Sequence, residues 1–574
     1  MRRIAIIGAG ESGVQLALGL QRHGYQVSLF SDRTPDQVRE GSVMSSQVLF
    51  SPALAAEEKM DISPVTEADP TDAALQISGI ELNLPGDRPV SWRGSLESPA
   101  RSVDQRVKCS VWMESFRDRG GDLQIEAVTV GRLEELSRGY DLVVVSTGKG
   151  ELGQIFRTDK TKSPYDRPQR VLGLAYVKPL DAQGDPAVRM SIKPGVGEFF
   201  TFPGITTTGA CRMMVFEGLP GGPMDSWVGV RSPQEHLEHS LQLLREHFPA
   251  EAKRFEGAEL TDGGATLRGR ITPTVRRPVG TLPSGRQVLG MGDAIVLNDP
   301  VTGQGSNNAA LAASYYEDAI LRHGGGPFDA TWMQRTFDEF WRGWAQWSVS
   351  WTNSMLRPLR DHQLELFSEA AEHPAVADAL ARGFEDPRTL FPWWQDAQDA
   401  QDFLDSRRHP GGAAPDPRAF RNALGQFATG VTVVTTRGAD GRRTGLTANS
   451  FTSVSMDPPL VLWCPSRNAP SLADFNAASH FAINILAEDQ KEISQQFARP
   501  AEDKFAGVGT SDGRNGVPVI DDAAATFECR TVARHEAGDH VIYVGEVEHY
   551  SANGGRPLVF HAGKYRSVAE HPEA

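Results

Sequence analysis

Six residues near the amino terminus, Gly8-Ala9-Gly10-Glu11-Ser12-Gly13, have the spacing of a loop that wraps a dinucleotide pyrophosphate. Three glycines let backbone N–H groups approach a phosphate, and the N-terminus of the helix behind them adds partial positive charge. Asp32 follows about twenty residues later, where a carboxylate can hold a ribose hydroxyl. This motif leaves FAD and NAD both open. Gly292-Asp293 decides for flavin: an Asp at a strand end can accept hydrogen bonds from ribityl hydroxyls. The turn Asp299-Pro300-Val301-Thr302-Gly303-Gln304-Gly305 can then pass beside the ring. The next helix would face the pyrimidine edge, which is anionic when the flavin is reduced.

A second set of candidates lies near the carboxyl terminus. Thr447, Asn449, Ser450 and Thr452 gather hydroxyls and an amide in one turn, able to bond flavin carbonyls and phosphate; the alternative is a turn satisfied by its own backbone. His540 follows Gly538-Asp539 at a strand start, and Lys504 can reach a phosphate or simply solvent. No HxxxH, Ser/His/Asp pattern or metal-ligand cluster accompanies either set, so no metal is expected.

The elements that must position these groups are readable from pattern. Ile4-Ala5-Ile6-Ile7 is a buried strand, followed by a helix with Val14, Leu16, Leu18 and Leu20, then a strand over Val27-Ser28-Leu29-Phe30. Asp141 to Gly148 predicts a further strand of the same sheet, and Val288 to Ala294 another that ends in a loop. A helix is expected from Ser306 to about Leu321. Residues 60–100 and 170–280 alternate short apolar runs with Gly and Pro, which suits an inserted antiparallel sheet. Residues 328–405 read as helical, with Trp341, Trp344, Trp347 and Trp351 forming a packing stripe. The Pro/Gly-rich stretch 406–417 reads as a linker. A helix from Ala419 to Thr429 and then β-rich runs at Val431–Thr435, Leu460–Cys464, His480–Leu486 and Val541–Val547 suit a small barrel.

Bulk properties bound the partners. A chain of 574 residues is too long for one core. Its net charge of −15 argues against nucleic acid, which needs a basic surface. The four cysteines, Cys109, Cys211, Cys464 and Cys529, are too far apart for paired ligands, predicting free thiols in a reducing cytoplasm. The first residues do not read as a signal peptide, and no apolar run reaches membrane-spanning length, so a cytoplasmic protein without membrane contact is expected.

At this point the chain resembles known families. Residues 1 to about 400 resemble the oxygenase of two-component styrene monooxygenases. The match rests on the Gly8–Gly13 loop, Ser98-Pro99-Ala100-Arg101-Ser102-Val103-Asp104, Val145-Ser146-Thr147-Gly148-Lys149, Ser163 to Arg170, and Gly292-Asp293 through Gly305. The resemblance implies a hydroxybenzoate-hydroxylase-like fold: a Rossmann-type α/β FAD-binding domain with an inserted antiparallel sheet. It also implies FAD held by Gly8, Gly10, Ser12, Gly13, Asp32, Arg101, Gly148, Asp293, Pro300, Gly303 and Gly305, with O2 as co-substrate and an aryl alkene as substrate. The stretch Ser45-Ser46-Gln47-Val48-Leu49 departs from the styrene-oxidising branch and, with Ala100, resembles the indole-oxidising one. Ser45, Gln47 and Leu49 are therefore the candidate substrate-pocket residues. Gln47 could meet an indole N–H, and styrene stays open beside indole.

Residues 418 to about 567 resemble short-chain flavin reductases. The match rests on Phe420 to Phe427, Thr429 to Thr436, Gly445 to Ser455, Asp457-Pro458-Pro459-Leu460, Phe497-Ala498, Lys504-Phe505 and Gly538-Asp539-His540. This implies a split β-barrel, normally a homodimer, with His540 beside the nicotinamide of NADH. The expected organisation is an FAD-dependent epoxidase over 1–405, a linker over 406–417 and an NADH:flavin reductase over 418–574. Three rivals stay open: a one-component FAD hydroxylase, a reductase that serves a separate oxygenase, and a flavin-binding redox sensor.

Overall fold

The computed structural model describes residues 2–59, 76–85, 89–148, 150–179, 185–408, 424–438, 440–499, 501 and 503–568. The chain divides into two compact units, Met1–Pro410 and Gly411–Ala574.

The first unit is built on a six-stranded sheet in the order Val279–Thr281, Gln287–Gly290, Leu142–Val145, Arg3–Ile7, Gln26–Ser31, Asp122–Ile125. All neighbours run parallel except the Val279–Thr281 edge, which closes a hairpin. Ile4, Ala5, Ile6 and Ile7 are buried on both faces, as a central parallel strand requires. Helix Glu11–Arg22 packs on this sheet through Val14, Leu16, Leu18 and Leu20, and helix Gln304–His323 packs beside it.

A seven-stranded sheet is inserted into the unit, in the order Thr266–Arg270, Val171–Val177, Gly209–Gly218, Gly197–Thr206, Ala187–Lys193, Gln76–Leu84, Val90–Arg101. It is antiparallel except where Gln76–Leu84 runs parallel to Ala187–Lys193. That exception is the crossover the chain needs to enter the sheet in one excursion and return to it in another.

The region 328–408 is a run of helices from Ala330–Phe340 to Ala397–Arg408. Trp344 and Trp351 are buried, while Trp341 and Trp347 are half-buried. The stripe is interrupted by a π turn over Trp341–Ala345, where a side chain at Gly343 would overlap the Tyr315 hydroxyl. Trp351 stacks edge-on against Trp394, ring centres 4.8 Å apart.

The second unit carries a seven-stranded antiparallel sheet of split-barrel type, in the order Arg443–Ala448, Thr432–Arg437, His480–Ile485, Ala525–Ala537, His540–Ala552, Pro459–Trp463, Thr452–Met456. Its core is Trp463, Phe475, Phe481, Ile483 and Tyr543. Thr429–Gly430 is a strand paired with Val559–His561, not the end of a helix. Residues 419–423 of the expected helix, and 409–417 of the expected linker, lie outside the described residues. Cys109, Cys211 and Cys529 are buried and Cys464 is half-buried. Among the described residues no helix is long and apolar enough to cross a membrane.

Candidate functional site

The glycine loop of the first unit is tied down by interlocking close approaches. Gly8 takes φ +107° and donates its N–H to Phe30 O at 2.9 Å. A Cβ on Gly13 would overlap the Gly8 carbonyl oxygen, so only glycine lets the helix start this close to the strand. Ser146 Oγ donates to Ile7 O at 3.0 Å or Gly8 O at 2.8 Å, fastening the loop to the Leu142–Val145 strand. A Cβ on Gly148 would stand 2.7 Å from Asp293 O, and one on Gly292 would overlap Ser12 Oγ. Gly8, Ser12, Gly13, Gly148 and Asp293 are thus brought together from three segments.

The outer wall of this assembly is open. Among the described residues, nothing beyond the adjoining backbone lies within 4 Å of a Cβ built on Gly10, Gly303 or Gly305. Asp293 is exposed at the strand end, and Asp32 is exposed at the end of its own strand beside Arg33. Asp299 caps the short turn Pro300–Thr302, with its Oδ1 accepting from Val301 N at 3.2 Å. Gly303, left-handed at φ +67°, then starts helix Gln304–His323, and among the described residues no side chain caps that helix. Uncapped N–H groups, an exposed carboxylate for hydroxyls and glycines without neighbours fit a flavin dinucleotide. Arg101 is half-buried and joined through its backbone to Leu49 in both directions, at 2.8 and 3.0 Å.

Beneath the loop lies a charge network that sequence reasoning missed. Lys108 is fully buried and donates to Glu11 at 2.7 Å and to Glu57. Gln105 reaches Glu11 at 3.2 Å. Burial pushes the Glu57 carboxyl up to about 7, although Lys108 pulls it down. Burial works against the Lys108 charge, but Glu11 and Glu57 hold it above its ordinary range. A second knot joins Arg106 to Asp104, Asp262 and Thr206 at 2.8 to 3.0 Å. The signal in the sequence was two cations, Arg106 and Lys108, on a helix that also carries Cys109, Trp112, Met113 and Phe116.

The candidate pocket segment hangs between these knots. Gln47 is buried; its Oε1 accepts from Ser45 Oγ at 3.0 Å and its Nε2 donates to Val103 O. Its amide is therefore engaged within the protein rather than held out for a ligand. Tyr176 Oη donates to Ser45 O at 2.9 Å. The Leu49 side chain packs with Ala53 and Ala310, although its backbone pairs with Arg101 of the inserted sheet. Val43, Val48 and Phe50 instead join Tyr176, Phe202, Met213 and Val301 in the apolar layer of that sheet. Asn307 fixes the segment: its Oδ1 accepts from Phe50 N at 2.9 Å, and its Nδ2 donates to Val48 O or Gly303 O at 2.8 and 2.9 Å.

In the second unit the candidates form a more open rim. Thr447 Oγ1 donates to Ser494 O at 2.6 Å. Ser450 Oγ accepts from Cys464 N at 2.9 Å. Asn449 and Thr452 are exposed. His540 opens its strand and bridges to Ser466, two residues from Ser450's partner Cys464. Its Nδ1 lies 2.8 Å from Asp539 Oδ1, and that bond holds the Asp539 carboxyl below its usual range. Lys504 Nζ donates to Phe497 O at 2.9 Å and Gly445 O at 3.3 Å, and burial lowers its pKa. Lys504 is thus pinned to backbone carbonyls beside the Thr447 strand.

Comparison with known proteins agrees with both units. A family model described as "Styrene monooxygenase A putative substrate binding domain" matches residues 148–254, and a "Flavin reductase like domain" model matches residues 424–569. The chain is 31% identical over 328 residues to the styrene monooxygenase StyA of Pseudomonas fluorescens, covering 56% of this chain and 78% of that one. It is 47% identical over 156 residues to the FMN reductase (NADH) SmoA of Agrobacterium fabrum, covering 27% of this chain and 87% of that one. It is 50% identical over 150 residues to the stachydrine N-demethylase reductase subunit Stc3 of Rhizobium meliloti, covering 26% of this chain and 65% of that one. The chain belongs to the styrene monooxygenase A family through its amino-terminal region, which is fused to a flavin reductase domain, so that one polypeptide carries both halves of a two-component flavin monooxygenase.

Proposed function

We propose that the carboxy-terminal unit oxidises NADH and reduces FAD, and that the amino-terminal unit uses the reduced FAD with O2 to epoxidise indole or a styrene-type aryl alkene. The observation that carries this reading is the Gly8–Gly13, Gly148 and Gly292–Asp293 interlock, which is tight inward and open outward at Gly10, Gly303 and Gly305. Bound reduced flavin supplies the electrons that activate dioxygen. The protein's own work is then orientation and the exclusion of water. Backbone N–H groups at Gly10 and Gly13 take the pyrophosphate, Gly8, whose own N–H goes to Phe30 O, turns the loop toward it, Asp32 takes the ribose and Asp293 the ribityl hydroxyls. The N-terminus of the Gln304 helix meets the anionic edge of the ring.

Asn307 ties the flavin turn to the pocket segment, so the alkene is presented by a fixed wall of Val48 and Phe50. Gln47 Oε1, the atom an indole N–H would need as acceptor, already accepts from Ser45 Oγ, so selection of indole or styrene falls mainly to shape and apolar contact. In the reductase unit Thr447, Asn449, Ser450 and Thr452 hold flavin, and His540 stands beside the nicotinamide. A tether between source and sink raises the local concentration of reduced flavin, which otherwise is lost to oxygen.

The test is the purified full chain with NADH, FAD, air and indole or styrene. The expected result is epoxide-derived product formed with NADH consumption. NADH consumption with peroxide as the only product would reject the oxygenase reading and favour a reductase serving a separate oxygenase.

A further inference from the structure

Four ionisable groups converge behind the flavin turn: Arg170, Glu198, Glu217 and Asp299. Arg170 and Glu198 are 5% exposed, and Glu217 and Asp299 are 0% exposed. Glu217 sits on strand Gly209–Gly218 directly opposite Glu198 on strand Gly197–Thr206. The guanidinium is already committed, with Nε and Nη2 each 2.7 Å from the two Glu198 oxygens. That leaves two further carboxyl groups without a cation of their own.

Their hydrogen-bond inventory is as unbalanced as their charge. As carboxylates, neither Glu217 oxygen has a donor among the described residues, and Asp299 Oδ2 has none either. Two adjacent ionised carboxylates with orphaned oxygens, shut away from water, are strongly disfavoured. One proton between them changes an acceptor into a donor and relieves both faults, as in other carboxyl pairs that cannot ionise together. Asp299 already accepts from Val301 N, which favours its charged form, so the proton resides on Glu217. The electrostatics agree. Burial and then the Asp299 charge push the Glu217 carboxyl well above its usual range. Burial raises Asp299 to about 6, against its hydrogen bond with Glu217 and the pull of Arg170.

We propose that Glu217 and Asp299 share one proton, and that this proton positions the Asp299–Gly303 turn from behind, making Glu217 a positioning residue of the oxygenase site. Asp299 begins the turn whose Gly303 opens the uncapped helix. Deprotonating Glu217 places two like charges behind that turn, beside an Arg170 already bound by Glu198, and drives the turn outward. The functional half of this inference rests on the reading that FAD occupies the 293–305 segment.

The experiment uses the flavin-free full chain, its Glu217→Gln variant and, as a second probe, Asp299→Asn. Glutamine keeps a donor toward Asp299 and cannot titrate. The expected infrared difference between parent and Glu217→Gln at neutral pH contains the carbonyl band of a buried protonated carboxyl. Hydrogen–deuterium exchange over residues 299–308, corrected for intrinsic rates, should rise with pH in the parent and stay flat in Glu217→Gln. Absence of the band, or the same exchange profile in both proteins, overturns the shared proton. If Glu217→Gln misfolds, Asp299→Asn still decides: the Glu217 band should shift, and an unmoved band overturns the pairing.

With NADH, FAD and indole added, product per NADH should fall with pH in the parent and less in Glu217→Gln. Equal pH profiles would overturn the positioning role while leaving the proton in place. No product from either protein at any pH, with the band present, would instead reject the flavin reading on which that role rests.

Discussion

The two units are expected to handle the same cofactor with opposite kinds of interior. In the oxygenase unit, charge is buried in several places: Lys108 with Glu11 and Glu57 among the helices, Arg106 with Asp104 and Asp262, and Arg170 with Glu198 at the inserted sheet. In the reductase unit the buried polar groups described are almost all neutral, such as Thr432, Thr435, Asn484 and Ser494, and its ion pairs lie at the surface, as in Arg530 with Glu546. A buried, fully bonded charge tolerates little displacement, because moving either partner exposes an uncompensated ion. Neutral strands around an exposed rim give way more cheaply. Under the proposed function, the difference suits a site that holds reduced flavin dry and still in one unit and a site that loads and releases it in the other.

The sharpest way to break this contrast is at Gly13. Alanine there drives a methyl group into the Gly8 carbonyl, and neither backbone segment can yield without separating helix Glu11–Arg22 from its strand. Overpacking of this kind costs about 1–3 kcal/mol, and more against backbone. Gly13→Ala should abolish product formation from NADH and indole and leave NADH-driven reduction of added FAD unchanged. Loss of both activities together would mean that the units are not independent flavin sites.

The parts of this site that were legible in the sequence are those made by backbone. Glycine spacing, strand-end Asp293 and the Asp299–Gly305 turn announce themselves because only a few residue types allow such geometry. Their neighbours Lys108, Glu57, Arg170 and Glu217 did not, because their meaning depends on partners distant in the chain: Lys108 and Glu57 are 51 residues apart. The inserted sheet was legible as β structure, but the helix Pro233–His247 within the same span was not, nor was the one parallel pairing, since alternation reports faces and not direction. The helix expected over Ala419–Thr429 gave way at its end to a strand, where Thr429 and Gly430 find partners in Phe560 and Val559. Gln47 was legible as polar and near the pocket; that its amide is spent on Ser45 and Val103 needed coordinates.

A smaller but more diagnostic perturbation is Lys108→Met, which keeps the volume and removes the charge between Glu11 and Glu57. Breaking a buried pair by removing one partner costs about 3–5 kcal/mol. Unfolding followed calorimetrically should show the oxygenase unit destabilised and the reductase unit unmoved. The loss should also grow as pH rises. Glu57, already raised to about 7 in the folded parent and lacking its cation in the variant, binds its proton more tightly folded than unfolded, so stability is full below its unfolded pKa near 4.5 and drains away above it. A pH-independent loss would place the lysine's role in packing rather than in charge.

The mildest test falls on the reductase rim. His540 is half-exposed and its ring is held by Asp539 on a hairpin tip, where Gly538 turns at φ +60°. Nothing buried depends on it, so His540→Ala should leave unfolding of both units unchanged. If the imidazole stands beside the nicotinamide, its loss should slow NADH oxidation by about tenfold, or about 1.4 kcal/mol of barrier. Reduced FAD supplied chemically should still support oxygenation at the parent rate, because the interlocked site at Gly8–Gly13 and Asp293 is untouched. An unchanged rate of NADH oxidation would remove His540 from the nicotinamide site. A slowed oxygenation with chemically reduced FAD would show that the reductase rim and the interlocked site are coupled, and the division between a loading unit and a holding unit would have to be redrawn.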